Sequence, residues 1–105
     1  MKSILFALLI FSSSAFSGEL INVGTVISVE NTSQNTSQFV VWVTGSGACN
    51  NAPIRFKESN SQSKESFERA FAMLLSAQAT GFNVKIFGID DNNCESANWV
   101  RVTKN

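Results

Sequence analysis

The chain contains neither histidine nor tyrosine among its 105 residues. Without an imidazole there is no Ser-His-Asp or Cys-His catalytic site, no histidine-ligated metal and no histidine general base. Carboxylates are the remaining catalytic candidates, and the densest group, Asp90, Asp91 and Glu95, lies in a polar segment. A general acid at neutral pH needs an apolar pocket around its carboxyl group. We therefore predict that the protein is not an enzyme; a small hydrolase that uses Asp90 or Asp91 is the alternative.

A strong net charge of either sign is also missing. The chain has 8 basic and 8 acidic side chains, and without Lys2 the net charge is −1. Such a surface has no field that would attract nucleic acid or an anionic membrane. We therefore predict that nucleic acid is not a partner.

No apolar run is long enough to span a bilayer as a helix, including residues 4–11 (ILFALLIF). The small residues Ala15 and Ser17 follow that run and precede Gly18 in the pattern that signal peptidase recognises. We predict that residues 1–17 are a signal peptide, that no membrane span remains after its removal, and that the protein is periplasmic or secreted. A retained membrane-anchoring helix is the alternative.

Cysteine is scarce, and both cysteines, Cys49 and Cys94, fall in residues 18–105. That length is enough for one domain and not for two. Exported proteins reach an oxidising compartment in which disulfides persist, and two thiols alone seldom bind zinc. We predict a single domain with a Cys49–Cys94 disulfide, which stabilises it by roughly 4 kcal/mol on the chain-entropy model.

Alternation of apolar and polar residues predicts five strands, and a helical period predicts one helix. The helix has Ser63 as its N-cap and ends at Gly81. Three strands, a helix and two strands in this order predict a mainly β fold with one helix, an OB-like five-stranded Greek-key barrel. An open α+β sheet with the helix packed on it is the alternative. The predicted strands are residues 20–30, 39–44, 54–58, 82–89 and 97–103.

The same periods predict which side chains face the core. The second strand, residues 39–44 (FVVWVT), is apolar on both faces and therefore needs cover on both sides. We predict that a second subunit supplies the outer cover. The predicted core face of the first strand is Ile21, Val23, Ile27 and Val29. The predicted core face of the helix is Phe67, Ala70, Phe71, Leu74, Leu75 and Ala77.

Residues 88–96 (GIDDNNCES) concentrate oxygen-bearing side chains. A calcium loop of the EF-hand type needs ligands at alternating positions and a glycine at the sixth, whereas four such residues are consecutive here. Aspartate and asparagine are common in turns because they tolerate left-handed backbone angles and bond to their own backbone. We predict a polar hairpin loop that binds no metal or cofactor; an incidental surface calcium is the alternative.

Aromatic side chains on the outer faces of strands are the remaining candidates for binding. A tryptophan such as Trp99, with polar neighbours, can stack on a sugar ring while those neighbours bond to the edge of the ring. Packing of both tryptophans in the core or in an interface is the alternative. The predicted ligand-binding residues are Lys85, Asn98, Trp99 and Arg101. The predicted interface residues are Val40, Trp42, Phe87 and Ile89.

Residues 66–88 (SFERAFAMLLSAQATGFNVKIFG) form a helix pattern closed by Thr-Gly and followed at once by an alternating strand. This segment resembles the helix and fourth strand of the B subunits of bacterial AB5 toxins, in particular the pertussis-like and subtilase-cytotoxin-like branch. The resemblance implies an exported OB fold with an internal disulfide, assembled into rings of five that bind host glycans. It assigns no glycan-contacting residue to a position in this chain.

Residues 20–103 also resemble a group of small uncharacterised exported bacterial proteins. The shared features are a cysteine followed by Ile-x-Phe, a serine-rich helix start, a Thr-Gly helix end before a strand, and a late cysteine. In this chain they correspond to Cys49, Ile54, Phe56, Ala77, Thr80, Gly81, Val84, Ile86, Cys94 and Ala97.

These patterns predict an exported, non-catalytic binding or assembly module, with a glycan-binding protein similar to toxin B subunits as its expected form. The expected partners are carbohydrate or another exported protein, and the expected assembly is a homo-oligomeric ring. The alternative is a periplasmic structural or inhibitor domain. Such a domain would bind a protein partner through the loops at residues 31–38 (NTSQNTSQ) and 45–51 (GSGACNN).

Overall fold

The computed structural model describes residues 18–31 and 37–105. The predicted signal peptide and most of the first polar loop lie outside the described residues. A short 3-10 helix, Glu58–Asn60, precedes the α-helix. The elements are β1 (Glu19–Asn31), β2 (Gln38–Ser46), β3 (Pro53–Lys57), α1 (Lys64–Thr80), β4 (Asn83–Gly88) and β5 (Ala97–Thr103).

The five strands form a closed barrel in the order β1-β2-β3-β5-β4, and β4 pairs with β1 to complete it. Neighbouring strands are antiparallel except β3 and β5, which are parallel where Phe56 pairs with Ala97. The helix follows β3 and precedes β4 in the chain. This arrangement confirms the predicted mainly β, OB-like fold, and closure of the barrel excludes the open sheet.

Helix α1 begins and ends where the sequence predicts. The Oγ of Ser63 accepts a hydrogen bond from the Ser66 N–H at 3.0 Å, which satisfies one of the free amides of the first turn. Gly81 ends the helix in the left-handed conformation, with φ of 77°, which glycine adopts without steric cost. The helix buries one narrow face against the barrel, consisting of Phe67, Ala70, Leu74 and Ala77.

An aromatic cluster around Phe39 fixes the helix to the barrel. The Phe39 ring, from β2, stacks on the Phe56 ring, from β3, with centroids 4.9 Å apart. It also contacts two rings of α1, Phe67 at 5.3 Å and Phe71 at 5.0 Å. Phe39 is 2% exposed. Because its neighbours come from β3 and from α1, Phe39 holds three elements of the fold together.

The predicted core face of the first strand is wrong at two positions. Val23 is 44% and Ile27 is 56% exposed, whereas Ile21 and Val26 are buried. The register of β1 with β2 shifts between Val26 and Ser28, and the register of β1 with β4 is also irregular. An extra residue in a strand turns the side chains that follow it to the opposite face. These bulges are the reason that strict alternation fails along β1.

The predicted core face of the helix is too wide. Leu75 is 42% exposed, while its neighbour Leu74 is fully buried. Successive residues of an α-helix point about 100° apart, so the residue after a buried position lies on the flank of the buried face. Leu75 is therefore an exposed apolar side chain beside the core.

Candidate functional site

The outer face of β4 and β5 carries two basic and two aromatic side chains in register. In this antiparallel pair Lys85 lies opposite Arg101, and Phe87 lies opposite Trp99. Directly opposite residues on one face of a sheet have Cβ atoms about 4.5–5.5 Å apart, so their side chains meet. We call Lys85, Phe87, Trp99 and Arg101 the cation–aromatic face.

These four side chains are in contact. The rings of Phe87 and Trp99 meet edge to face, with centroids 5.1 Å apart and an interplanar angle of 88°. The guanidinium carbon of Arg101 lies 5.6 Å from the Trp99 ring centroid, and the Nζ of Lys85 lies 5.8 Å from that of Phe87. Such contacts are attractive and orient the rings. Trp99 is still 43% exposed, so the face is ordered and open to solvent.

The two cations of this face differ in their partners. The Nζ of Lys85 lies 3.7 Å from a carboxylate oxygen of Glu19, at the start of β1. Within the described part of the chain, Arg101 has no carboxylate partner at salt-bridge distance. A guanidinium has five N–H donors and no acceptor, so donors of Arg101 remain available to an anion. With Glu19 included, the face has one net positive charge.

The fourth predicted ligand residue, Asn98, lies on the other side of β5. Its Nδ2 donates to the backbone carbonyl of Asn60 at 3.1 Å, and it lines a groove between β5 and α1. Successive residues of a strand point to opposite faces, which separates Asn98 from its neighbour Trp99. The structure therefore places Lys85, Trp99 and Arg101 on the cation–aromatic face, whereas Asn98 lies outside it, in an adjoining groove that Trp99 also lines.

The four predicted interface residues fall into two regions. Phe87 belongs to the cation–aromatic face, and Ile89, 53% exposed, follows the end of β4. Val40 and Trp42 lie on β2, which β1 separates from β4 in the barrel. Val40 is 7% exposed in the single chain, so the chain itself covers it. Trp42 is half-buried and lines an open groove of about 390 Å³ with Ile27, Ser28, Glu30, Thr44 and Asn51.

One buried hydroxyl, that of Ser96, holds the loop at residues 88–96 in place. Ser96 is 4% exposed. Its Oγ donates to the carbonyl of Asn93 at 2.8 Å and accepts from the Asp90 N–H at 3.2 Å. Its own carbonyl accepts from the Ile89 N–H at 3.0 Å. Sequence reasoning missed this residue because a serine within a polar run gives no sign of burial.

The second half of the same loop, which leads into β5, contacts strand β3. Cys94 is bonded to Cys49, which confirms the predicted disulfide. The carbonyl of Cys94 accepts from the Arg55 N–H at 2.8 Å. The Oε1 of Glu95 lies 2.9 Å from the Nε of Arg55 and 3.7 Å from the Nζ of Lys57. This part of the apparent acid cluster therefore makes structural contacts with strand β3.

The two aspartates of the loop also contact groups of the chain. The Oδ2 of Asp90 accepts from the Asn93 side chain at 3.5 Å, and the Oδ1 of Asp91 accepts from the Gly18 N–H at 3.3 Å. Within the residues that the structure describes, no group of three or more His, Cys, Asp or Glu side chains is placed to hold a metal ion.

Replacing Ser96 by alanine is expected to lower the free energy of unfolding by about 1–3 kcal/mol, because the Asp90 N–H loses its buried acceptor. Equilibrium unfolding in urea measures the loss. Ser59→Ala is the matched control, since Ser59 is exposed and its replacement should change the stability by less than about 0.5 kcal/mol. Equal effects of the two substitutions would show that the Ser96 hydroxyl does not hold the loop.

The fold and this outer face define a class, a small disulfide-linked OB-like barrel with an exposed cationic and aromatic face. In the described ranges, no helix is long and apolar enough to cross a membrane. A family model described as a family of unknown function (DUF5992) matches residues 1–104, and the chain belongs to that family. This match is consistent with the predicted resemblance to an uncharacterised family. No curated protein and no solved structure gives a significant match, and the resemblance to toxin B subunits stays a prediction.

Proposed function

We propose that the protein is an exported, non-catalytic binding module and that the cation–aromatic face is its ligand site. The observation that carries the proposal is the register of β4 and β5, which sets Phe87 opposite Trp99 and Lys85 opposite Arg101. Exposed rings beside cations combine apolar contact area with hydrogen-bond donors. The disulfide and the leader-like pattern of residues 1–17 support a periplasmic or secreted location.

The expected ligand is an acidic carbohydrate, a sugar that carries a carboxylate. The apolar C–H face of the sugar ring packs on the exposed surface of Trp99. The carboxylate binds Arg101, whose paired N–H donors match the two carboxylate oxygens. Lys85 contributes less, because Glu19 already offsets part of its charge. One net positive charge on the face suits one ligand carboxylate.

Arg101→Gln is expected to weaken binding of an acidic glycan by about tenfold to a hundredfold, since it removes a charge-assisted hydrogen bond. The ligand is first found on a glycan array that contains acidic sugars and their neutral counterparts. Isothermal titration calorimetry then compares the dissociation constants of the wild-type protein and the variant. Trp99→Ala should weaken both acidic and neutral sugars, because it removes the stacking surface rather than the charge.

Lys64→Gln is the matched control, because Lys64 is an exposed cation at the start of α1 and does not line the groove that Trp99 shares with Asn98. It should leave the dissociation constant unchanged. An array without any bound glycan at high protein density would contradict a carbohydrate ligand and favour a protein partner. Equal losses with Lys64→Gln and Arg101→Gln would refute the cation–aromatic face as the site.

Assembly into a ring forms the second part of the proposal. A ring requires two different surfaces on each subunit that fit each other. The outer side of β2 around Trp42 and the exposed Ile89 after β4 lie on opposite sides of β1 and offer two such surfaces. Native mass spectrometry at micromolar concentration tests this part, and a strict monomer would exclude the ring while leaving the ligand site in place.

A further inference from the structure

The first described residue, Gly18, is fixed in the barrel by both of its backbone groups. Gly18 is buried, and its carbonyl accepts a hydrogen bond from the Gly88 N–H at 2.7 Å. Its N–H donates to the Oδ1 of Asp91 at 3.3 Å. Its φ is 101°, and a Cβ added to it would lie 2.3 Å from the Gly88 carbonyl oxygen. Only glycine fits this position, so β1 begins at a defined point against the end of β4.

Gly18 is also the residue that follows the predicted signal-peptide cleavage site. Hydrolysis of the Ser17–Gly18 peptide bond by a signal-processing protease consumes one water. The C–N bond breaks, the Ser17 carbonyl becomes a carboxylate, and the Gly18 nitrogen becomes an amine. Because a free α-amino group has a pKa of about 7.7–8.0, that amine takes up a proton near pH 7 and becomes an ammonium group.

We propose that Asp91 is the receptor for this new N-terminal ammonium group. Before cleavage, the Gly18 nitrogen offers Asp91 one neutral N–H donor. After cleavage, the same nitrogen offers a positive charge and three donors to a carboxylate that is already in place. Cleavage thus adds Coulomb attraction between opposite charges to the hydrogen bond that the neutral N–H already donates to the carboxylate. Processing therefore strengthens the junction between β1 and β4.

The location of this ion pair connects it to the proposed ligand site. Glu19, the next residue, lies opposite Phe87 and contacts Lys85. The N-terminal ammonium thus anchors the end of β1 that supports one side of the cation–aromatic face. This inference rests on the proposed export, because export supplies the cleavage.

The test is a double-mutant cycle of four proteins with defined N-termini, in which the melting temperature of each protein is measured. Two begin at Gly18 and two begin one residue earlier at Ser17, each with Asp91 or with Asp91→Asn. In the proteins that begin at Gly18, Asp91→Asn should lower the melting temperature by about 2–6 °C, as expected for one ion pair in a domain of this size. In the proteins that begin at Ser17, it should lower the melting temperature by clearly less, because the charge is displaced by one residue.

Equal effects of Asp91→Asn in both backgrounds would overturn the inference. Asp90→Asn is the matched control, because the Asp90 side chain contacts Asn93 and not Gly18; its effect should be the same in both backgrounds. Intact mass and N-terminal sequencing of the exported protein test the cleavage separately. A start other than Gly18 would refute the proposed processing. The melting temperatures of the four proteins separately test whether the ion pair forms, because their N-termini are known.

Discussion

Replacing Cys49 and Cys94 together by alanine is expected to lower the free energy of unfolding by about 4 kcal/mol. The bond closes a loop with a sequence separation of 45 residues, and the chain-entropy model assigns roughly that stabilisation to a loop of this length. Alanine is preferred to serine because Cys49 is fully buried, and a hydroxyl there would be buried without an assured partner. Urea unfolding of the oxidised wild-type protein and of the double variant measures the difference.

Reduction provides the control for this result. A reductant should destabilise the wild-type protein by nearly the same amount and should leave the double alanine variant unchanged. A loss below about 1 kcal/mol would contradict the prediction, since it falls outside the usual range for a native disulfide in a small domain. It would mean that the unfolded chain without the bond keeps residual structure that already restricts this loop.

Phe39→Ala is expected to lower the free energy of unfolding by about 3–5 kcal/mol, the cost of removing a large aromatic side chain from a packed core. The Phe39 ring contacts Phe56 from β3, and Phe67 and Phe71 from α1. The alanine side chain at position 39 is too small to contact these three rings, so a cavity remains between the helix and the barrel. Urea unfolding measures the loss, and near-ultraviolet circular dichroism reports whether the remaining rings keep their packing.

Phe87→Ala is the matched control, because it makes the same chemical change on the outer face of the barrel. Phe87 is half-buried and its ring contacts Trp99 and Lys85. Loss of an edge-to-face pair costs about 0.5–1.5 kcal/mol beyond the area that becomes exposed, so the effect should be clearly smaller than for Phe39. Equal effects would show that Phe39 does not join the helix to the barrel.

The order of strands and helix is predictable from the sequence because each element has its own local signal. The alternation in β3 sends Ile54 and Phe56 inward, and the caps Ser63 and Gly81 mark both ends of α1. These features depend on neighbours within a few residues. The OB-like arrangement then follows because a chain this short offers few other ways to bury these faces.

Long-range features were less accessible to sequence reasoning. The bulge near Ile27 lies in the pairing of β1 with β2, and the two-residue period of β1 alone contains no sign of it. Ser96 is buried only because the loop folds back onto Asp90 and Asn93. The cover of Val40 comes from its own chain rather than from a second subunit.

The candidate site is only partly predictable from the sequence, because it depends both on alternation within each strand and on the register between strands. Alternation within β5 places Trp99 and Arg101 on one face, and alternation within β4 does the same for Lys85 and Phe87. Which residue lies opposite which depends on the strand register, and the alternation within each strand does not specify that register. Asn98 is next to Trp99 in the sequence, but neighbours in a strand point to opposite faces, and its amide donates to the Asn60 carbonyl instead.

The parallel junction between β3 and β5 has a kinetic consequence. Phe56 and Ala97 meet there across all of α1 and β4, whereas β1 with β2 and β4 with β5 are neighbours in the chain. Contacts between distant segments lose more chain entropy and form later in folding. The strand pairs that are neighbours in the chain are therefore expected to form first, and the β3–β5 junction forms later, together with the β1–β4 pairing that closes the barrel. Because Cys94 lies just before β5, oxidation after closure traps the completed barrel and slows its reopening.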